Sequence, residues 1–131
     1  MSNDTTMSMA GSPVTWFEIG TDDAGAARDF YDALLGWTFA VDGPYSIITT
    51  GTDHVLQGGI QDTSGPLPDG TPRTYAAPYV QVADVAATCA RVGELGGKVL
   101  VAPTTTPFGL TYAHIADPAG NHIGLWTPQP A

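Results

Sequence analysis

The stretch VTWFEIGTDDAGAARDFYDALLGW, residues 14–37, decides the fold because its plan returns in PYVQVADVAATCARVGELGG, residues 78–97. Each stretch contains a strand-like run, an aspartate suited to cap a helix, an amphipathic segment and a terminating glycine. A repeat unit this long predicts two equivalent modules packed as one domain rather than a small solenoid unit. We expect a ligand at the surface that the two modules share.

The first module is predicted to contain a strand, a helix and three further strands. Side chains alternate along a strand, so the strand Val14–Gly20 places Trp16 and Glu18 together on one face. The helix is capped by Asp22 or Asp23, and its apolar stripe is expected to face the core. That stripe consists of Ala27, Phe30, Tyr31 and Leu34, and the helix is predicted to end at Gly36. The three later strands are predicted over residues 37–41, 45–50 and 55–61.

The second module repeats this order. Its first strand, residues 77–82, places Tyr79 and Gln81 on one face, and Asp84 caps the helix that follows. The apolar stripe predicted for this helix is Val85, Cys89 and Val92, and the helix is predicted to end at residues 96–97. The three later strands are predicted over residues 98–102, 110–115 and 122–127.

These elements predict an α+β fold built from two βαβββ modules. A helix covers only one face of a sheet, so neither module closes a core alone, and pairing them creates a curved groove. The predicted organisation is a disordered tail over residues 1–12 and a single domain over residues 13–128, which divides into module 1 (13–61), a linker (62–75) and module 2 (76–128).

Composition limits the partners and the compartment. The 131 residues carry 13 acidic and 4 basic side chains, a net charge of −9 that argues against nucleic acid and anionic membranes as partners. No apolar run reaches the roughly 20 residues of a membrane span, and the N-terminus lacks the pattern of a secretory signal. The single cysteine, Cys89, fits a reducing compartment, so we expect a cytoplasmic protein.

Two motifs resemble the vicinal oxygen chelate superfamily, which includes glyoxalase I, extradiol dioxygenases and bleomycin-resistance proteins. The first is Asp22-Asp23 followed by the run from Phe30 to Trp37, and the second is DPAGNHIGLW, residues 117–126. The resemblance implies the glyoxalase-like fold, in which the mixed sheet of the two modules curves into a cup. It also implies a homodimer and a small organic molecule as the partner.

Metal-dependent members of that superfamily hold a divalent cation with His, Gln or Glu side chains from the first and last strands of each module. The resemblance places Trp16, Gly59, Tyr79 (or Pro78) and Gly124 at those positions. Tryptophan, proline and glycine supply no suitable donor, and tyrosine would be an unusual one, so we predict no metal ligands and no cofactor. A two-residue slip leaves a divalent metal open as the alternative, with Glu18, Gln57 or Gln61, Gln81, and His122 or Trp126 as its ligands.

Without a metal, the side chains expected to face the cup favour a flat aromatic ligand or a cationic one. Indole and phenol rings provide rigid apolar surfaces, and a carboxylate among them would attract a cation. The alternative is that the aromatic residues are ordinary sheet residues covered by a dimer partner or by the linker. The predicted ligand-binding set is Trp16, Glu18, Gln57, Gln61, Tyr79, Gln81, His122 and Trp126.

Three ionisable side chains are the candidates for catalysis. A strand carboxylate among aromatics should have a raised pKa, which makes Glu18 a candidate general base. The alternative for Glu18 is a structural bond to Arg73 or Tyr79. His114 and His122 lie on the two arms of the last hairpin, where they form either an acid–base or ligand pair or two separate histidines.

The leading functional hypothesis is a small-molecule-binding protein of the glyoxalase/bleomycin-resistance type, similar to the antibiotic-resistance or sequestration branch. Whether the chain is an enzyme stays open at this point. The alternatives are a metal-dependent lyase or oxidoreductase of the glyoxalase/dioxygenase type, a metal-free isomerase that uses Glu18, and an accessory domain that binds a metabolite.

Overall fold

The computed structural model describes residues 11–53 and 55–128, so most of the predicted tail over residues 1–12 lies outside the described residues. Within that part of the chain both modules have the predicted βαβββ order, which confirms the fold class. Module 1 contains β1 (Val14–Thr21), α1 (Ala24–Leu35), β2 (Thr38–Asp42), β3 (Tyr45–Thr49) and β4 (Gly58–Asp62). Module 2 contains β5 (Tyr75–Gln81), α2 (Val85–Val92), β6 (Lys98–Thr105), β7 (Thr111–Ala116) and β8 (His122–Thr127).

One mixed sheet joins the modules. Its strand order is β2-β3-β4-β1-β5-β8-β7-β6, with the antiparallel pair β1 and β5 at the centre. On either side of that pair, β1 runs parallel to β4 and β5 runs parallel to β8. The first strands of both modules therefore lie side by side, and side chains from both meet in the middle of the sheet.

Each helix begins at a capping aspartate. The Asp23 carboxylate accepts a bond from the Ala26 amide at 3.1 Å, and Asp84 accepts one from Ala87 at 3.0 Å. The first helix ends where Gly36 adopts the left-handed φ of 72°. The second helix ends earlier than predicted, at Val92.

The two helices differ in how they pack. The stripe of α2 is buried as predicted, and Val85 and Cys89 form a cluster with Ala113 and Leu125. Burial also raises the pKa of the Cys89 thiol.

The core-facing stripe predicted for α1 is wrong. No residue of α1 is buried, and Phe30 and Leu34 are 57% and 64% exposed. The helix is held by Tyr31, whose ring stacks on Trp37 at 5.0 Å, and by Arg28, which donates to Ser46. Phe30 and Leu34, further along the stripe, stay exposed. The predicted homodimer, which could cover this surface, stays a prediction.

The strand predicted over residues 55–61 starts later, at Gly58. Val55, Leu56 and Gln57 are exposed and precede it. Pairing with β1 begins at Gly58 opposite Phe17, and a side chain at Gly58 would collide with the Phe17 ring. In the described chain neither helix has the length and apolar character that a bilayer crossing needs.

Candidate functional site

The candidate site lies on the sheet face opposite the helices, which we call the cup face. Trp16 is paired with Tyr79 across the central strands, and Tyr79 is paired with Gly124 of β8. His114 of β7 also pairs with Gly124. Residues paired in this way share a face, so Trp16, Glu18, Tyr79 and His114 all point to the cup face.

Glu18 is the centre of the site. The residue is only 7% exposed, and three tyrosine hydroxyls donate to its carboxylate. Tyr45 donates to Oε1 at 2.8 Å, whereas Tyr79 and Tyr75 donate to Oε2 at 2.8 Å and 2.5 Å. Hydrogen bonds from neutral phenols can satisfy a buried carboxylate without a cationic partner.

A second set of contacts leads from Glu18 to the side of the cup. The Tyr79 hydroxyl lies 2.7 Å from Nε2 of His114, which is 2% exposed. Nδ1 of His114 lies 2.6 Å from Nε2 of His122, whose side chain is half-buried. The His122 ring stacks on Tyr75 with centroids 4.7 Å apart. Glu18, Tyr79, His114 and His122 thus form one continuous hydrogen-bonded chain.

Glycines make room for the three tyrosines. A side chain at Gly20 would collide with the Tyr75 ring, one at Gly59 with Tyr45, and one at Gly124 with Tyr79. Each tyrosine ring therefore lies flat across a strand position that has no side chain. This packing holds the three hydroxyls over Glu18.

The surroundings shift the pKa values of the site. Burial raises the pKa of Glu18, although the bonds from Tyr75, Tyr79 and Tyr45 oppose that rise. Burial first, and then the Glu18 charge, raises the pKa of each of these phenols. The phenols are therefore protonated donors at neutral pH.

The two histidines are shifted in the opposite direction. Burial, together with the neighbouring His122, lowers the pKa of His114 to about 4, and burial lowers the pKa of His122. Both imidazoles are thus neutral at pH 7, and each has one donor nitrogen and one acceptor nitrogen.

The structure brings together four of the predicted ligand-binding residues: Trp16, Glu18, Tyr79 and His122. Trp16 joins the cluster through its indole N–H, which donates to the Tyr45 hydroxyl at 3.0 Å. Glu18 bonds Tyr79, one of its two alternative partners. The other alternative is wrong, because Arg73 pairs with Asp22 at 2.6 Å.

The other predicted residues lie further from Glu18. Gln57 is exposed ahead of β4, and the Gln61 amide donates to the backbone carbonyls of Pro44 and Asp62. Gln81 is half-buried at the end of β5, opposite Trp126 on β8, whose indole donates to Thr15 at 3.0 Å. None of these contacts involves the Glu18 carboxylate.

Sequence reasoning missed Tyr45 and Tyr75 and left the facing of His114 open. Tyr75 lies at the end of the predicted linker (62–75). The facing of His114 depends on a hairpin register that pairs it with Gly124 and pairs His122 with Ala116. The glycines at positions 20, 59 and 124 are the pattern that could have indicated large neighbours on this face.

The residues at the family's metal positions do not fit a divalent cation. The indole N–H of Trp16 is a donor, and the space beside Gly59 and Gly124 is filled by the rings of Tyr45 and Tyr79. Within residues 11–53 and 55–128, no group of three or more His, Cys, Asp or Glu side chains is arranged to hold a metal ion. The slipped set that begins with Glu18 has the same difficulty, because tyrosines occupy both carboxylate oxygens.

A groove of about 650 Å³ lies on the other face of the sheet, beside α2. Its walls include Val82, Leu95 and Ile115, together with Asp84 and Asp117. Both aspartates already accept bonds from nearby backbone amides. The buried carboxylate of Glu18 and the buried imidazole of His114 instead lie on the cup face, which is therefore the candidate site.

Comparison with known proteins gives a family match over most of the chain. The model of the Glyoxalase/Bleomycin resistance protein/Dioxygenase superfamily matches residues 14–125. The anthracycline biosynthesis protein DnrV of Streptomyces peucetius is 38% identical over 107 residues, which cover 82% of this chain and 38% of DnrV. The protein CFP32 of Mycobacterium tuberculosis is 30% identical over 125 residues, covering 88% of this chain and 45% of CFP32. The chain thus spans less than half the length of these curated relatives.

Solved structures share the fold. The NAD-dependent benzaldehyde dehydrogenase from Legionella pneumophila superposes with a TM-score of 0.62 at 14% identity, covering 87% of this chain and 98% of that chain. A methylmalonyl-CoA epimerase variant from Streptomyces coelicolor, in complex with 2-nitronate-propionyl-CoA, superposes with a TM-score of 0.56 at 17% identity. The match covers 88% of this chain and 94% of the epimerase chain. At these identities the likeness shows the fold alone.

Proposed function

The chain belongs to the Glyoxalase/Bleomycin resistance protein/Dioxygenase superfamily, and from this premise we propose that it binds an aromatic or cationic small organic molecule on the cup face, without a metal. One observation carries the proposal. At two of the four positions where metal-dependent members would place ligands, this chain has Gly59 and Gly124, which the rings of Tyr45 and Tyr79 cover, and both tyrosines donate to the buried carboxylate of Glu18.

The chemistry of the cup supports this ligand class. Trp16, Tyr45, Tyr75 and His122 are half-buried, so each ring combines a packed side with a side that a ligand can reach. The net charge of −9 favours the approach of cations. The name of the relative DnrV refers to anthracyclines, which are fused-ring aromatic compounds, and this agrees with a flat aromatic ligand.

The first test is the metal content of the protein. We expect less than about 0.1 equivalent of Ni, Zn, Mn or Fe per chain by mass spectrometry after purification without chelator or affinity histidines. Adding each metal back should leave the melting temperature unchanged, because a metal that bound only the folded state would raise it. One tightly held equivalent per chain would contradict the proposal and favour the metal-dependent alternative.

The second test is binding of a matched pair of probes. We expect 9-(aminomethyl)anthracene, a cation, to bind more tightly than anthracene-9-carboxylate in isothermal titration calorimetry. Trp16→Ala should weaken binding of the amine by about 1–2 kcal/mol, the range of an aromatic or cation–π contact. Trp16→Phe keeps a ring and should lose less. Equal affinity of the wild type and the alanine variant would remove Trp16 from the site.

A metal-free acid–base enzyme is the second candidate, favoured by the hydrogen-bonded chain from Glu18 to His122. A buried carboxylate connected to a half-buried imidazole could take a proton from a bound carbon acid. Recovery of the ligand after incubation in D2O separates the two functions. A binder returns the ligand unlabelled, whereas an isomerase exchanges the abstracted hydrogen for deuterium.

A further inference from the structure

We infer that Glu18, Tyr79, His114 and His122 form a proton relay, which carries a proton between a group bound beside His122 and the buried carboxylate of Glu18. The relay deepens the proposed function because it states what the cup does with a proton-donating group, such as a phenol or an ammonium, on its aromatic or cationic ligand. The identity of the proton-donating ligand rests on the proposed function. The relay itself is a property of the ligand-free protein and is tested in that form.

The geometry of the chain is continuous. The successive contacts are 2.8 Å from Glu18 to Tyr79, 2.7 Å from Tyr79 to His114 and 2.6 Å from His114 to His122. The inner members are buried, since Tyr79 is 5% exposed and His114 is 2% exposed. Bonds of 2.6–2.8 Å in a buried place keep one arrangement and transmit a change at one end to the other.

With Glu18 ionised, every proton in the chain has one position. A carboxylate only accepts, so the single Tyr79 proton points to Glu18, and Nε2–H of His114 donates to the Tyr79 oxygen. Nδ1 of His114 is then unprotonated and accepts from Nε2–H of His122. The remaining nitrogen, Nδ1 of His122, is left as an acceptor.

With Glu18 protonated, the whole chain reverses. The Glu18 hydroxyl donates to Tyr79, Tyr79 donates to Nε2 of His114, and Nδ1–H of His114 donates to Nε2 of His122. Nδ1 of His122 now carries the proton. An acid X–H that gives its proton to Nδ1 of His122 therefore leaves as X⁻ while Glu18 becomes neutral. Four protons each move by one hydrogen bond, and no electrons are transferred.

The other groups facing Glu18 do not extend the relay. Tyr45 also donates to the carboxylate, but it accepts from the Trp16 indole, which is a donor only. The Tyr75 hydroxyl donates to Glu18, and the Tyr112 ring packs edge-to-face with the His114 ring at a centroid distance of 5.8 Å. Among the described residues, the Tyr79 branch alone reaches a second group that can exchange a proton.

The pKa shifts are compatible with this behaviour. Burial lowers the pKa of both histidines and raises the pKa of Glu18, so the shifts favour neutral imidazoles beside a carboxyl group that holds its proton more tightly than usual. A neutral imidazole donates at one nitrogen and accepts at the other, which a relay requires.

The test is ¹⁵N NMR of the histidine side chains of the full chain without ligand, with the Glu18 carboxyl carbon followed in parallel. We expect both rings to carry the proton on Nε2 when Glu18 is ionised and on Nδ1 when Glu18 is protonated. In each ring the ¹⁵N signal of the protonated nitrogen should pass from Nε2 to Nδ1 as Glu18 becomes protonated. This change should occur at the same pH as the change in the chemical shift of the Glu18 carboxyl carbon. Unchanged tautomers across that titration would overturn the relay.

A matched pair of variants isolates the connection. Tyr79→Phe and Tyr75→Phe each remove one hydroxyl that donates to Glu18, but only Tyr79 also contacts His114. Tyr79→Phe should abolish the exchange of signals at His122, whereas Tyr75→Phe should keep it. Persistence of the exchange in Tyr79→Phe would refute the relay. If that variant does not fold, the wild-type titration still decides, and failure of the anthracene probes to bind would affect only the proposed function.

Discussion

Gly124→Ala is expected to lower the free energy of unfolding by about 2–4 kcal/mol, because overpacking and broken buried hydrogen bonds act together. The new methyl group would collide with the Tyr79 ring. Tyr79 cannot move away without losing its bonds to Glu18 and His114, at 2.8 Å and 2.7 Å. Urea unfolding followed by tryptophan fluorescence measures the change.

Gly93→Ala is the matched control. Gly93 has an ordinary helical φ of −64°, and no described atom lies within 4 Å of the methyl group that alanine would add. This substitution should leave stability unchanged or raise it by up to about 1 kcal/mol, because alanine reduces the freedom of the unfolded chain. If both variants unfold at the same urea concentration, Tyr79 does not need the space beside Gly124, and the packing described for the site is wrong.

Acidification from about pH 7 to about pH 4.5 is expected to reduce the stability contribution of His114 by about 2.5 kcal/mol, at 1.36 kcal/mol per unit of pKa change. The pKa of His114 is about 4 in the folded protein against 6.5 for a free histidine, so the unfolded chain binds more protons between these values. The contribution is present above pH 6.5 and is lost as the pH falls towards 4. The lowered pKa of His122 acts in the same direction.

Glu18 acts in the opposite direction, so a variant must separate the two effects. The pKa of Glu18 is raised above 4.5, and its contribution is present below that value and is lost as the pH rises through the folded pKa. His114→Gln removes the His114 contribution, whereas Glu18 and His122 remain to titrate. The difference in urea-unfolding free energy between about pH 7 and about pH 4.5 should shrink by about 2.5 kcal/mol in this variant. Parallel pH profiles would show that His114 titrates normally in the folded protein.

The elements of the fold were largely predictable because their causes are local. Asp23 and Asp84 cap the helices, and Gly36 ends the first helix, as the pattern of polar and apolar residues indicates. The start of β4 was not predictable, because it is set by the approach of Phe17 to Gly58 from another strand. The exposure of Phe30 has the same kind of cause, since periodicity shows which helix residues share a face but not how closely that face approaches the sheet.

The sequence by itself determined the duplication, the βαβββ order and the faces of the first strand of each module, and so Trp16, Glu18 and Tyr79 could be placed together. These features follow from capping and from the two-residue period of a strand, which act over a few neighbouring residues. Only the tertiary structure decided that Tyr45, Tyr75 and His114 join them around Glu18. Their positions depend on strand order and register, and a register is set by packing between segments that are distant along the chain.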